Sequence, residues 1–185
     1  MIFAIALDEL KEKFSDKIKK LRRNNPFQLF SLDNEKKYLK ISKNRVEKYF
    51  SKKCRDFNFL FSEVYMKNYN GLICNEYKKL PLCNPDLIYL DGPDQTVIKN
   101  NINGITSNYI DFMPMNSDIL KIEFYLTPGT IIICDGRGAN ANFLKKNFKR
   151  NWLYTYEEQY DQHIFYLNDN PIGKYNKAQM RFYKS

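Results

Sequence analysis

The sequence contains few of the residues on which metal sites, membrane spans and phosphate-binding loops depend. It has one histidine and four cysteines, and no two cysteines form a CxxC pair, so we expect no zinc site. No stretch approaches the ~18 consecutive apolar residues that a membrane span requires. Only seven glycines occur, and none of them precedes Gly71. The residues before Gly71 therefore offer no glycine-rich loop.

The composition that remains is typical of a folded domain with a basic surface. Of 185 residues, 43% are hydrophobic and 16% aromatic, which predicts one domain over 1–185. The net charge of +9 permits contact with phosphates. The basic residues are dispersed, however, and no aromatic motif is flanked by glycines, so we do not expect nucleic-acid binding. Cys134 lies in an apolar run as a buried free thiol would, which favours a reducing, cytoplasmic compartment without membrane attachment.

Two stretches of the chain share one design. In "NPDLIYLDGPDQ" (84–95), four apolar residues lead directly into Asp91 and a glycine. In "GTIIICDGRGAN" (129–140), a similar run leads into Asp135 and a glycine. Glycine after each acid lets the backbone turn sharply and lets a ligand approach closely.

Apolar strands alternating with helical periodicity predict an α/β fold with a mostly parallel sheet covered on both faces. Helices are expected over 2–23, 34–50, 115–126 and 138–150. Parallel strands are expected near 27–32, 57–64, 86–91 and 130–135, followed by an antiparallel pair at 152–158 and 162–168. Because ligands of parallel sheets bind beyond the carboxyl ends of the strands, the acids there predict a shared crevice, under a long loop over 92–114. These acids are Asp33, Asp91 and Asp135.

This order of acids and strands resembles that of class I S-adenosylmethionine-dependent methyltransferases. The phrases "PDLIYLDGPDQ", "DFMPMNSDILKIEFYLTPGTIIICDGRGANANFLKKNFKRNW" and "YDQHIFYL" are similar to an uncharacterised bacterial group often associated with surface-sugar biosynthesis. The resemblance covers residues 2–182. It implies a Rossmann-like methyltransferase fold and S-adenosylmethionine-dependent O-methyl transfer to a hydroxyl of a sugar or related small molecule.

The resemblance also implies a set of cofactor-binding residues. Asp33, at the end of "FSLD", matches the acid that accepts hydrogen bonds from the cofactor ribose, and its alternative role is to cap the following helix. Glu63, in "FSEV", matches the region beside the adenine, or is a solvated strand residue. Asp91 belongs to this set as well.

The residues for catalysis follow the later strands. Asp91 and Asp135 match positions that hold a divalent metal in metal-dependent O-methyltransferases, where Mg²⁺ would acidify the acceptor hydroxyl. This chain has Gly136 where those enzymes usually carry a further Asp or Asn. Arg137 is either a clamp for a phosphate or carboxylate of the acceptor or an ion-pair partner of the acids. His163, with Asp161 nearby, is a candidate general base or a structural residue.

The chain departs from the family pattern at its start, where the first strand and the glycine-rich cofactor loop have no counterpart. We therefore expect either an N-terminally truncated methyltransferase-like domain or a non-catalytic relic that binds a glycan, a nucleotide or a protein. A sheet without its first strand would leave backbone groups unpaired, which favours a homodimer.

Overall fold

A computed structural model describes residues 1–19, 21, 25–50, 56–113 and 115–184. The chain divides into two compact units, Met1–Ser62 and Glu63–Ser185. None of the helices in the described ranges combines the length and the hydrophobicity needed to cross a bilayer.

The first unit contains two helices and a parallel strand pair. Helix α1 (Ile2–Ile18) precedes β1 (Leu29–Asp33), and α2 (Lys36–Phe50) leads to β2 (Phe57–Phe61). Strands β1 and β2 pair in parallel, with Leu29 opposite Phe57. Leu39 and Val46 of α2 are buried, and their spacing of two helical turns places both on the face that packs against the strands. The predicted end of the first helix, near Arg23, lies outside the described residues.

The second unit opens with an antiparallel hairpin of β3 (Val64–Tyr69) and β4 (Leu72–Tyr77). Its turn is formed by Asn70 and Gly71, with φ of 50° and 85°. Hairpin turns of two residues favour this pair because asparagine and glycine tolerate positive φ. The Asn68 side chain accepts a hydrogen bond from the Gly71 N–H at 2.7 Å, which further fixes the turn.

A four-stranded mixed sheet forms the core of the second unit. Its strands are β5 (Leu87–Leu90), β6 (Ile131–Asp135), β7 (Trp152–Glu157) and β8 (Gln162–Leu167), in the spatial order β5-β6-β8-β7. Strands β5 and β6 are parallel, whereas β8 is antiparallel to both β6 and β7. Helices α3 (Asp118–Ile122) and α4 (Gly138–Asn147) lie between these strands in the sequence. The main apolar cluster includes Ile132, Leu144 and Phe165, which are all fully buried.

The predicted Rossmann-like methyltransferase fold with one mostly parallel sheet is wrong. The strands form a two-stranded parallel, a two-stranded antiparallel and a four-stranded mixed sheet. The prediction assumed that the apolar runs are buried on both faces. In β5, however, Leu87 and Tyr89 are exposed while the alternate residues are half-buried, because β5 is an edge strand with one open face. The predicted strand over 57–64 is also divided, since β2 ends at Phe61 and β3 begins at Val64.

Other local predictions are confirmed. Parallel pairing of β5 with β6 and the closing antiparallel pair β7–β8 occur where the patterns place them. The segment 92–113 is largely irregular, with short bridges such as Val64 to Ile98. A helix α5 (Lys174–Phe182) was not expected from the polar end of the sequence.

Candidate functional site

Four of the predicted site residues belong to neighbouring elements of the second unit. Asp135 ends β6, and Asp91 follows β5, its parallel neighbour. Arg137 directly precedes α4, and His163 of β8 lies opposite Cys134 of β6. The ends of two parallel strands, one helix and one antiparallel strand thus provide these side chains. We call this region the β6-end site.

Asp135 is held by two neighbouring side chains. The Tyr89 hydroxyl donates a hydrogen bond to its Oδ2, and the Gln162 amide donates one to its Oδ1 at 3.3 Å. Burial, together with this contact to Asp135, raises the pKa of Tyr89 to about 12. Tyr89 therefore stays protonated at neutral pH and remains a donor to the carboxylate. The sequence analysis did not identify Tyr89 or Gln162 as site residues. Tyr89 lies two residues before Asp91, and Gln162 directly precedes His163.

Arg137 connects the start of α4 to the loop after β5. Its guanidinium donates to the backbone carbonyl of Asp91 at 2.6 Å and to that of Pro93 at 3.4 Å. The Asp91 carboxylate lies 3.8 Å from the same guanidinium and is 72% exposed. The contacts of Arg137 thus correspond to the second predicted role, an ion pair with one of the acids. Its hydrogen bonds to the backbone also fix the loop that follows β5.

His163 is 9% exposed and lies among tyrosine rings. Its Nδ1 is 2.9 Å from the Tyr154 hydroxyl, and the Tyr156 ring stacks on the imidazole at a centroid distance of 4.7 Å. Asp161, the expected partner of His163, accepts a hydrogen bond from the Tyr156 hydroxyl at 3.0 Å instead. This contact raises the pKa of Tyr156. Tyr154 and Tyr156 are two residues apart in β7, so both rings lie on the same face of the sheet. This spacing could have been recognised in the sequence.

The second nitrogen of His163 is directed at the beginning of α4. A Cβ built on Gly138, the first residue of that helix, would lie 3.4 Å from His163 Nε2. Gly138 therefore packs close to the imidazole, and a methyl group at this position would be in van der Waals contact with Nε2.

The remaining predicted residues have local partners. Asp33, in the first unit, accepts a hydrogen bond from the Glu35 N–H at 2.9 Å and so forms an Asx-turn directly before α2, two residues ahead of the position that a helix cap would occupy. Glu63, in the second unit, accepts one from the Tyr65 hydroxyl at 3.0 Å and lies 3.5 Å from the Lys78 ammonium. The Tyr65 hydrogen bond lowers the pKa of Glu63.

The residues at the β6-end site do not fit a divalent metal. Among the described residues, no group of three or more His, Cys, Asp or Glu side chains could hold one. Asp91 faces the Arg137 guanidinium, and Asp135 already accepts two hydrogen bonds. A metal ion would have to displace these donors, so the site is unsuited to Mg²⁺.

Comparison with known proteins gives no assignment. No protein-family model matches the chain, and no curated protein or solved structure is significantly similar to it.

Proposed function

We propose that the chain binds a hydroxyl-rich small molecule, such as a sugar or the end of a glycan, at the β6-end site. The observation that carries this proposal is the placement of Asp135, Tyr156 and His163 at one end of neighbouring strands. A carboxylate accepts hydrogen bonds from hydroxyl groups, while aromatic rings offer flat apolar surfaces for the faces of a sugar ring. Tyr156 is 45% exposed and can contact a ligand without rearrangement.

Replacing Asp135 by asparagine should weaken sugar binding by about tenfold, because a charged acceptor contributes ~1.5–3 kcal/mol to a hydrogen bond and the amide contributes less. The measurement is a titration of the backbone amides by nuclear magnetic resonance with a panel of neutral hexoses and hexosamines. Glu12→Gln removes an exposed acid from α1 in the first unit and serves as the matched control. The melting temperature should change little in either variant. Equal affinities of the wild type and Asp135→Asn for every sugar would contradict the proposal.

O-methyl transfer from S-adenosylmethionine to a sugar hydroxyl is a second candidate function. It is favoured by the acids that follow the parallel strands β5 and β6 and by the closing pair β7–β8, features that the methyltransferase resemblance implies. In this reading His163 takes the proton of the acceptor hydroxyl, and Asp91 and Arg137 position the acceptor. The cofactor supplies the methyl group. The same titration with S-adenosylmethionine tests it. Affinity in the micromolar range supports transfer, and we expect no better than millimolar affinity for this chain, in which no glycine precedes Gly71.

We further propose that the chain forms a homodimer and works in a reducing cytoplasm. Strand β5 is an edge of the four-stranded sheet, and Leu87 on its open face is 45% exposed. An edge strand with an apolar face favours pairing with a second chain. The described cysteines Cys74, Cys83 and Cys134 are free, as expected in a reducing compartment. Static light scattering should give twice the 22.2 kDa mass of one chain, and a concentration-independent monomer would refute the dimer.

A further inference from the structure

We propose that Asn75 and Asp118 bind a monovalent metal cation, Na⁺ or K⁺, in the interior of the second unit. Asn75 belongs to β4, and Asp118 is the first residue of α3. The pair shares no residue with the β6-end site, so the inference does not depend on the proposed function. Only one of the two ligands is an acid, which distinguishes the site from the clusters of three or more acids, cysteines or histidines that the described residues lack.

Each of the two residues carries a buried oxygen atom without a hydrogen-bond donor. Asn75 is 0% exposed and Asp118 is 4% exposed. Within the ranges that the structure describes, Asn75 Oδ1 and Asp118 Oδ1 have no hydrogen-bond partner. Buried polar groups are normally hydrogen-bonded, and buried charges are paired or coordinate a metal, because water no longer solvates them. Two such oxygens therefore indicate a ligand that is positively charged or donates hydrogen bonds.

The backbone register places the two side chains on one face of a strand pair. The chain before α3 runs parallel to β4, since the Asn75 N–H donates to the Met115 carbonyl at 2.8 Å and the Ser117 N–H donates to the Asn75 carbonyl at 3.1 Å. Asn75 is thereby paired with Asn116, and paired residues direct their side chains to the same face. The Asn116 side chain in turn forms two hydrogen bonds with Asp118, at 2.6 and 2.9 Å. Asn116 thus connects Asn75 to Asp118 on this face.

The other polar atom of each side chain is already engaged. The Asn75 Nδ2 donates to the Ser107 hydroxyl at 3.2 Å, which leaves the carbonyl oxygen as its other end. Asp118 Oδ2 accepts hydrogen bonds from the Tyr77 N–H at 3.0 Å and from the Asn116 amide. The remaining atoms, Asn75 Oδ1 and Asp118 Oδ1, are an amide oxygen and a carboxylate oxygen. Hard cations bind through these two kinds of oxygen.

The charges beside the pair favour a cation with a single positive charge. The Lys121 ammonium lies 2.9 Å from the carboxylate of Glu76, so these two groups neutralise each other. In the described part of the chain, no lysine or arginine forms an ion pair with Asp118. A buried carboxylate without a counter-charge is unfavourable. A monovalent cation balances this one carboxylate, whereas Ca²⁺ and Mg²⁺ require more oxygen ligands and leave an excess positive charge.

Replacing choline chloride by KCl or NaCl at constant ionic strength should raise the melting temperature of the second unit by about 4–6 °C at about tenfold the half-saturating concentration. The increase should saturate, because the cation binds the folded site. Trp152 is the single tryptophan, so its fluorescence in the full chain reports the unfolding of the second unit. Burial raises the pKa of Asp118 to about 6, and the melts are therefore recorded at pH ~7.5, where this carboxyl is ionised. The salt with the lower half-saturating concentration identifies the cation.

Three variants separate the site from general effects of salt. Asp118→Asn keeps the shape of the side chain but removes its charge, so its melting temperature should be the same in choline chloride, KCl and NaCl. Asp111→Asn makes the same change at an exposed acid of the second unit and should keep the wild-type response. Asn75→Asp adds a second carboxylate, so CaCl₂ should stabilise this variant more than KCl does.

Equal melting temperatures of the wild type in choline chloride, KCl and NaCl would overturn the cation site, and a proton or an internal water molecule would then satisfy the two oxygens. A response of Asp118→Asn equal to that of the wild type would overturn it as well. A larger response of the wild type to CaCl₂ than to KCl would reject the monovalent cation. If CaCl₂ stabilised Asn75→Asp no more than the wild type, Asn75 would not be a ligand.

Discussion

Replacing Glu123 by alanine should destabilise the second unit by roughly 3 kcal/mol, because three donors lose their common acceptor. The Glu123 carboxylate is 1% exposed and accepts hydrogen bonds from the backbone N–H groups of Lys149 and Arg150 and from the Trp152 indole. These distances are 3.0, 2.9 and 3.0 Å to one oxygen, Oε1. Chemical denaturation of the variant and the wild type measures the difference.

The conservative change Glu123→Gln is the matched control. Glutamine keeps one carbonyl oxygen, which can occupy the position of Oε1 and accept from all three donors, while its amide group faces the Lys149 N–H that now also donates to Oε2 at 3.1 Å. We expect this variant to lose only about 1 kcal/mol of the free energy of unfolding. If both variants were equally unstable, the negative charge rather than the hydrogen bonds would be the source of stability. A loss below about 1 kcal/mol for alanine would show that water replaces the carboxylate.

Asp118 should make the second unit less stable as the pH rises, by up to ~3 kcal/mol. Burial raises the pKa of this carboxyl from 3.8 to about 6, opposed by the hydrogen bonds that Oδ2 accepts from the Tyr77 N–H at 3.0 Å and the Asn116 amide at 2.6 Å. Within the described residues, its buried Oδ1 has no hydrogen-bond partner.

The direction of the pH effect follows from which state binds the proton more tightly. The folded carboxyl has the higher pKa, so protonation stabilises the fold fully below about pH 4, and this contribution disappears as the pH rises through about 6. Asp118→Asn does not titrate, and its amide oxygen can still accept from Tyr77 and Asn116. Urea denaturation at several pH values should therefore show that the free energy of unfolding of the variant, relative to that of the wild type, increases between pH ~4 and ~7. A constant difference would contradict the raised pKa.

Local structure was predictable wherever a single pattern dominates. The run of β-branched residues at Ile131–Ile133 and the Asn70-Gly71 turn both gave elements at the expected places. Pairing was not predictable to the same degree, because an apolar run does not specify its neighbours. The same kind of run forms an edge strand at Leu87–Leu90 and a central strand at Ile131–Asp135.

The candidate site was only partly predictable, because the contacts of its side chains also depend on how the strands pair. Acids at strand ends can be recognised in the sequence, and Asp91 and Asp135 do follow paired strands. The pairing of β7 with β8 was predicted, but only the structure shows the register that brings the Tyr154 hydroxyl to His163 Nδ1. The contact between Gly138 and His163 was equally hidden, since it joins helix α4 to strand β8.

Helix α5 escaped recognition because its inward face is polar. Its buried residues are Asn176 and Gln179, which donate to the Pro128 carbonyl at 2.9 Å and to the Asp86 carboxylate at 2.6 Å. Attachment through hydrogen bonds with little apolar area gives a small free energy of local opening. Helix α5 should therefore detach and reattach on its own, exchanging its amide protons faster than β6, while the sheet remains folded.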